Sequence, residues 1–468
     1  MYGPSRSEEP PGTFTVPHVC DMATAVGSCT YGVVVYCGDM SNGAIDEEAP
    51  VPTPGQEVWD DHSPVTDWNT DYDIRDEAYV NDPYPIWAEM RVQCPIAHTD
   101  RLGGSWNPTK FDDIRAMAKM VPELSSRQIL VMPPPPGMEE QSRYEQQIAA
   151  APITADPPIH DWTRRMLLPA FAPRAVTAYE EYTEQLCHEL IDEFIEQGEC
   201  DGAVNYSQQI PPRVIAHMIG IDPGMADQFV IWVNGVLGEG LLDPELRLRT
   251  RDELLGFIDK EVRARIKDPQ EDLLTDLLFM ELDHPEARIT PEVVVGITNL
   301  LIVAGIDTTW SSIGSALWHL GTNPSDLERL RNEPDLLPVA VEEFLRFYAP
   351  VTMARIADQD VEIGDVCIHA GDKVLMNFPA ANHDPEHFEN PDDFIIDRAR
   401  NRHVAFGSGI HRCAGSNLAR LEMTTALKVW IERIPDFHVS DREPMKWAGG
   451  QVRGPRIMPM SFAPGEKR

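Results

Sequence analysis

Cys413 sits among three glycines in the segment FGSGIHRCAG, which runs from Phe406 through Gly407, Gly409 and His411 to Gly415. Glycines at that density suit a turn in which backbone passes close to a flat, bulky ligand. A helical pattern begins immediately afterwards: SNLARLEMTTALKVWIERI places apolar residues at Leu418, Leu421, Ala426, Leu427, Val429, Trp430 and Ile434. Cys413 is therefore expected at a helix N-terminus, where unpaired amides and the helix dipole favour an anion. A thiolate stabilised there is suited to ligate haem iron axially and to assist O–O cleavage. Taken alone, a glycine-flanked cysteine would more often be a buried structural thiol, so the weight rests on the full ten-residue spacing.

Three further constellations carry chemistry. Ala304-Gly-Ile-Asp307-Thr308-Thr309 interrupts the apolar run VVVGITNLLIVAGIDTTWSSIGSALWHL, a place where glycine, acid and hydroxyls are locally unfavourable for a helix. Such violations are expected at functional sites. Helical spacing puts Leu300, Val303, Ala304, Asp307 and Thr308 on one face, apolar groups and an acid–alcohol pair along one groove. Glu343 and Arg346, three apart in LPVAVEEFLRFY, share a helix face, which by itself signifies only an ion pair. His160 and Arg164, four apart after Asp156-Pro-Pro, form a pair of aligned cations suited to a carboxylate.

With these segments together, the chain resembles the cytochrome P450 family, whose ligand loop reads F-G-x-G-x-H-x-C-x-G in many bacterial members. The resemblance runs in family order from Asp156 to Glu422, and it implies a mainly α fold with a small β-sheet region holding heme b (iron protoporphyrin IX) between distal and proximal helices. It makes Cys413 the iron ligand, with Ala304, Phe406, Gly407 and Gly415 against the cofactor. It assigns His160, Arg164, Arg355 and His411 to the haem propionates and Glu343, Arg346 and Arg398 to a bracing triad. Asp307 and Thr308 become the proton-delivering pair at a distal groove where dioxygen binds. Leu300, Val303, Ala304, Val351 and Met353 are expected to line the substrate pocket; some relatives carry a polar propionate contact where Met353 stands. The implied activity is that of a monooxygenase acting on a small hydrophobic or aromatic molecule. Terpenoid, alkylated aromatic and fatty acyl substrates all fit.

The elements that must position these residues are legible more coarsely. Helical periodicity dominates from Asp60 onward, as in AVTAYEEYTEQLCHELIDEFIEQ. DVEIGDVCIHAGDKVLMNF, with Gly-Asp turns near Gly364 and Gly371, predicts a small antiparallel sheet. ILVMPPPPGMEEQ predicts an irregular loop of the kind that borders a pocket. Residues 1–58 lack a sustained period and are expected to be a disordered tail, with one β-like run, YGVVVYCG; residues 59–468 are expected to be the haem domain.

Composition narrows the partners. The 468 residues carry a formal charge of −37, which opposes nucleic acid and anionic membranes. No signal peptide or apolar run of about 18 residues stands out, so a cytoplasmic enzyme without a membrane anchor is expected, and the chain is expected to be a monomer. Cys20, Cys29, Cys37, Cys94, Cys187, Cys200 and Cys367 show no CxxC pairing, against a disulfide framework or iron–sulfur set. Without a dinucleotide fingerprint either, electrons are expected from a separate ferredoxin or flavodoxin and its NAD(P)H reductase. Arg398 to Arg420 contains five arginines, two histidines and no carboxylate, a basic patch around Cys413 to which Arg412 is expected to contribute. Rival readings are a peroxide-driven or dehydrating haem-thiolate enzyme, against which the Asp307–Thr308 pair argues, and a haem sensor or electron carrier, which needs no substrate pocket.

Overall fold

Amphipathic helices form the body of the computed structural model, which describes residues 63–135 and 141–468. The expected tail, its β-like run and the end of the Pro-rich loop fall outside the described residues. The principal helices are α1 (Ile159–Leu167), α2 (Glu180–Asp192), α3 (Ile210–Ile219), α4 (Ala226–Leu237), α5 (Pro244–Lys267), α6 (Pro291–Thr322), α7 (Leu337–Phe347) and α8 (Ser416–Arg433). Proline opens several of them: it precedes α1 as Pro158 and occupies the first turn of α3, α5, α6 and α7, where its missing N–H costs nothing.

Helix α6 runs through the core, packed by α3, α4, α5 and α8. It is long and apolar enough to cross a membrane, yet its sides are covered by these neighbours, which accounts for that composition. Thr290 caps its start by accepting from the Val293 amide. Its hydroxyls turn back on the helix. Thr298, Thr308, Ser312 and Ser315 each donate to the carbonyl four residues earlier, at 2.7 to 2.8 Å, so buried alcohols are satisfied without outside partners. The sequence AGIDTT thus leaves α6 continuous.

Short strands complete the fold: β1 (Ile96–Thr99), β2 (Ser105–Pro108), β3 (Leu124–Ser125), β4 (Glu199–Asp201), β5 (Met353–Ala357), β6 (Val361–Ile363), β7 (Val366–Ile368), β8 (Lys373–Met376), β9 (Phe437–Val439), β10 (Lys446–Ala448), β11 (Gly454–Ile457) and β12 (Pro459–Phe462). The largest sheet has the order β1-β2-β8-β5-β3. The antiparallel sheet expected of residues 360–378 is only half formed as such. Strands β6 and β7 make their own antiparallel hairpin, turning at Gly364 (φ 57°), whereas Gly371 (φ 95°) redirects the chain so that β8 joins β2 in parallel and β5 in antiparallel pairing. Trp106 Nε1 fastens this join by donating to Asp372 Oδ2 at 2.8 Å, a contact spanning 266 residues that no local pattern announces.

The Glu343–Arg346 pair is fully buried rather than a surface bridge. Arg346 Nε and Nη2 each lie 2.8 Å from the carboxylate of Glu343, and Arg398 Nε reaches both of its oxygens at 3.0 and 3.1 Å. The Ile395 amide and Asn401 Nδ2 supply further donors. Replacing one member leaves buried charge uncompensated. Glu343→Gln is expected to lower stability by about 3–5 kcal/mol, whereas Arg331→Ala, which removes an exposed pair with Asp436, should cost under about 1 kcal/mol. Urea unfolding of both variants checks the contrast.

Candidate active site

The cysteine loop is shaped by its glycines. Gly407 and Gly409 both have φ 72°, and a Cβ on Gly409 would overlap the Ala118 carbonyl, so neither position accepts another residue without strain. The Cys413 amide donates to Phe406 O at 2.8 Å and closes the loop. Cys413 itself lies in the turn just ahead of α8, whose cap is Gly415, as expected from the sequence. Burial pushes its thiol pKa up, while the Gly415 amide and the charges of Arg164, Arg412 and Arg420 pull it down. A metal ion binding there would displace the proton outright.

Beside the loop, four basic residues converge from distant parts of the chain. His160 on α1 meets Ile410 O through Nε2 at 3.2 Å, and its ring stands edge-on to His411 at 4.6 Å between centroids. Arg164, one turn on, donates to the Arg412 carbonyl. His411 Nε2 lies 2.8 Å from Ser126 Oγ. Arg355 on β5 is buried and, among the described residues, has only the neighbouring Ala354 carbonyl as hydrogen-bond acceptor, at 2.7 Å; burial lowers its pKa to about 10. Desolvation, then Arg355, His160 and Arg164, hold the His411 pKa well below its ordinary value. Asp156 faces this group electrostatically, yet its oxygens already accept from Ser125 Oγ and the Ser126 amide. The buried guanidinium of Arg355, with Arg164 and two imidazoles beside it, calls for an anion, and the carboxylates of a porphyrin are such anions. The donor set therefore fits haem. Ser126 and Asp156, which hold His411 in place, went unassigned in the sequence because their partners are remote.

A cavity of about 1550 Å³ is lined by Leu300, Val303, Ala304 and Thr308 of α6 and by Val351 and Met353. All five expected pocket residues are thus brought together. That volume exceeds the ~300–1,000 Å³ typical of a single-ligand pocket, although neither Cys413 nor the four basic residues belong to its lining. The Pro-rich segment borders it through Pro133, Pro134 and Pro135, as expected.

Asp307 departs from expectation: it is buried and absent from the cavity wall. Arg456 on β11 donates to its Oδ1 at 2.7 Å and Ser311 does so at 3.2 Å, drawing the carboxylate away from the groove that Thr308 faces. Burial raises its pKa and Arg456 opposes the rise. Arg456 is the functional neighbour that sequence reasoning missed; 149 residues separate the pair, and nothing in GPRIMPM marks it. The basic patch also needs correction. Arg398 is consumed in the buried triad, Arg420 and His403 both bind Glu342, and His411 faces Ser126. Arg400, Arg402 and Arg412 are the exposed arginines of that segment.

Comparison with known proteins gives the family. The family model described as Cytochrome P450 matches residues 245–440. Cytochrome P450 107B1 of Saccharopolyspora erythraea is 31% identical, over 80% of this chain and 93% of its own length. The 6-deoxyerythronolide B hydroxylase of the same organism is 32% identical, over 80% and 94%. Among solved structures, the bacillaene polyketide synthase cytochrome P450 PksS of Bacillus subtilis superposes with a TM-score of 0.75 at 27% identity, covering 84% of this chain and all of that one. The fold and site define a haem-thiolate oxidoreductase. The chain belongs to the cytochrome P450 family, and its enzyme class is the haem-dependent monooxygenase.

Cys413→Ala is expected to abolish the red-shifted band that thiolate ligation gives the reduced, carbon monoxide-bound protein, and to reduce haem retention. An unaltered spectrum in the variant would remove Cys413 from the iron.

Proposed function

We propose that this chain is a soluble cytoplasmic monooxygenase that inserts one atom of dioxygen into a mainly apolar organic molecule held against α6, with electrons supplied by a separate ferredoxin or flavodoxin. The carrying observation is the convergence of His160, Arg164, Arg355 and His411 on the loop of Cys413, close to a large cavity whose α6 wall includes Thr308. When bound, haem supplies the reductive activation of dioxygen. Cys413 would donate its sulfur to the iron, and the four basic residues would hold the propionates and fix the orientation of the ring.

Thr308 lines the cavity while its hydroxyl donates to Ala304 O at 2.8 Å, so its oxygen can accept a hydrogen bond from water, and the hydroxyl passes its own proton on only by leaving Ala304 O. Asp307 works from the opposite flank, paired with Arg456; burial raises its pKa and Arg456 opposes the rise. Leu300, Val303, Ala304, Val351 and Met353 exclude water and orient the substrate. The same cavity also contains Lys373, whose pKa burial lowers to about 8, and Arg247, lowered to about 10. An apolar body with a polar or anionic end therefore fits better than a bare hydrocarbon. A relative named for 6-deoxyerythronolide B hydroxylation supports hydroxylation as the reaction.

Dioxygen consumption coupled to reductant and to oxygenated product tests the reading; haem binding without turnover would identify a sensor or carrier instead. Thr308→Ala should keep the carbon monoxide spectrum while product per reductant falls about 10²-fold or more. The exposed arginines beside the loop give a docking face for an acidic electron carrier. Arg412→Glu should slow reduction by such a partner and flatten its salt dependence, and unchanged kinetics would sink the assignment.

A further inference from the structure

Away from the cavity wall, the β6–β7 hairpin has two chemically opposite faces. Val361, Ile363 and Ile368 are buried in the core beneath it. Strand alternation then turns the intervening residues outward. The register pairs Glu362 with Cys367 and Val361 with Ile368, so Asp360 stands opposite His369 one step beyond the strands. Asp360, Glu362, Cys367 and His369 consequently form a two-by-two array on one face, with Asp360, Glu362 and His369 exposed.

We propose that this array is a binding site for a divalent metal ion of the zinc class. The ligand atoms of Asp360, Cys367 and His369 all lie within 4.8 Å of one another. His369 Nδ1 is 3.5 Å from Asp360 Oδ1 and 4.0 Å from Cys367 Sγ. Ligand distances of ~2.0–2.3 Å around tetrahedral zinc require separations of roughly 3.3–3.8 Å between donors, so small rotations suffice to close the set. The sulfur–nitrogen–oxygen combination selects a borderline ion over calcium or magnesium, which take all-oxygen shells. Glu362, paired across from Cys367, lies on the same face, and solvent water would complete the shell of the three ligands.

The frame is partly pre-organised. The Ala370 amide holds Asp360 Oδ1 at 2.9 Å, and the His369 amide donates to Asp372 Oδ2 at 3.0 Å, fixing the backbone on the His369 side of the hairpin. Binding would release the Cys367 proton to solvent and leave the thiolate on the metal. The C-x-H spacing follows the two-residue period of a strand, unlike the C-x-x-C of zinc ribbons, so the site takes shape only once β6 and β7 are paired.

The test uses the haem-loaded full chain, stripped by chelator and dialysed against zinc, with bound metal counted by atomic absorption. Wild type should retain one more zinc per chain than the double variant Cys367→Ser/His369→Ala, and each single variant should bind at least about tenfold more weakly. Zinc, and not calcium, should slow alkylation of Cys367. An unchanged carbon monoxide spectrum in the variants shows that they remain folded and separates this site from the haem. Equal zinc content in wild type and double variant, or alkylation of Cys367 indifferent to zinc, would overturn the proposal.

Discussion

The carboxylate of Glu343 is the point on which the proximal half of the molecule hangs. Two guanidiniums buried beside one carboxylate are tolerable only when every remaining donor finds an acceptor. Arg346 therefore reaches the carbonyls of Asn382, Pro391 and Asp393, and Arg398 those of Glu389, Asn390 and Asp393. The irregular segment that leads into the cysteine loop has little regular pairing of its own, and these bonds draw it against α7. Glu342, the adjacent residue, works on the other side. Although burial opposes its charge, Arg420 and His403 hold its pKa down to about 2. Arg420 in turn lies over the Phe406 ring at 4.5 Å, so consecutive acids of α7 fix the entry to the loop and the helix that follows it.

The distal side is organised differently. Helix α6 turns several of its hydroxyls back onto carbonyls four residues earlier, while Asp307 and Ser311 both reach Arg456 on a distant strand. The acid and the alcohol, adjacent in sequence, are thereby separated in environment: Thr308 meets the cavity and Asp307 meets Arg456. Two neighbouring groups with different surroundings are held in different electrostatic environments.

Electrostatics shows a similar division between bulk and site. A chain with formal charge −37 nevertheless places Arg164 and Arg355 near the loop of Cys413 and Lys373 and Arg247 in the cavity lining. Local excess of one sign, desolvated by burial, has more effect on a ligand than the screened field of the whole surface.

Much of this was legible in the residues. The α8 pattern, the glycine-flanked Cys413, the i,i+3 step of Glu343 and Arg346 and the apolar face of α6 all depend on neighbours within a few residues, and local periodicity expresses such relations directly. Tertiary structure decided that Arg398, which the resemblance gave to the triad and composition to the basic patch, is consumed in the triad, that Arg456 claims Asp307, that β8 pairs with β2 and that Ser126 meets His411. Those contacts join segments 55 to 285 residues apart, whose meeting is set by how the core packs and not by any spacing along the chain.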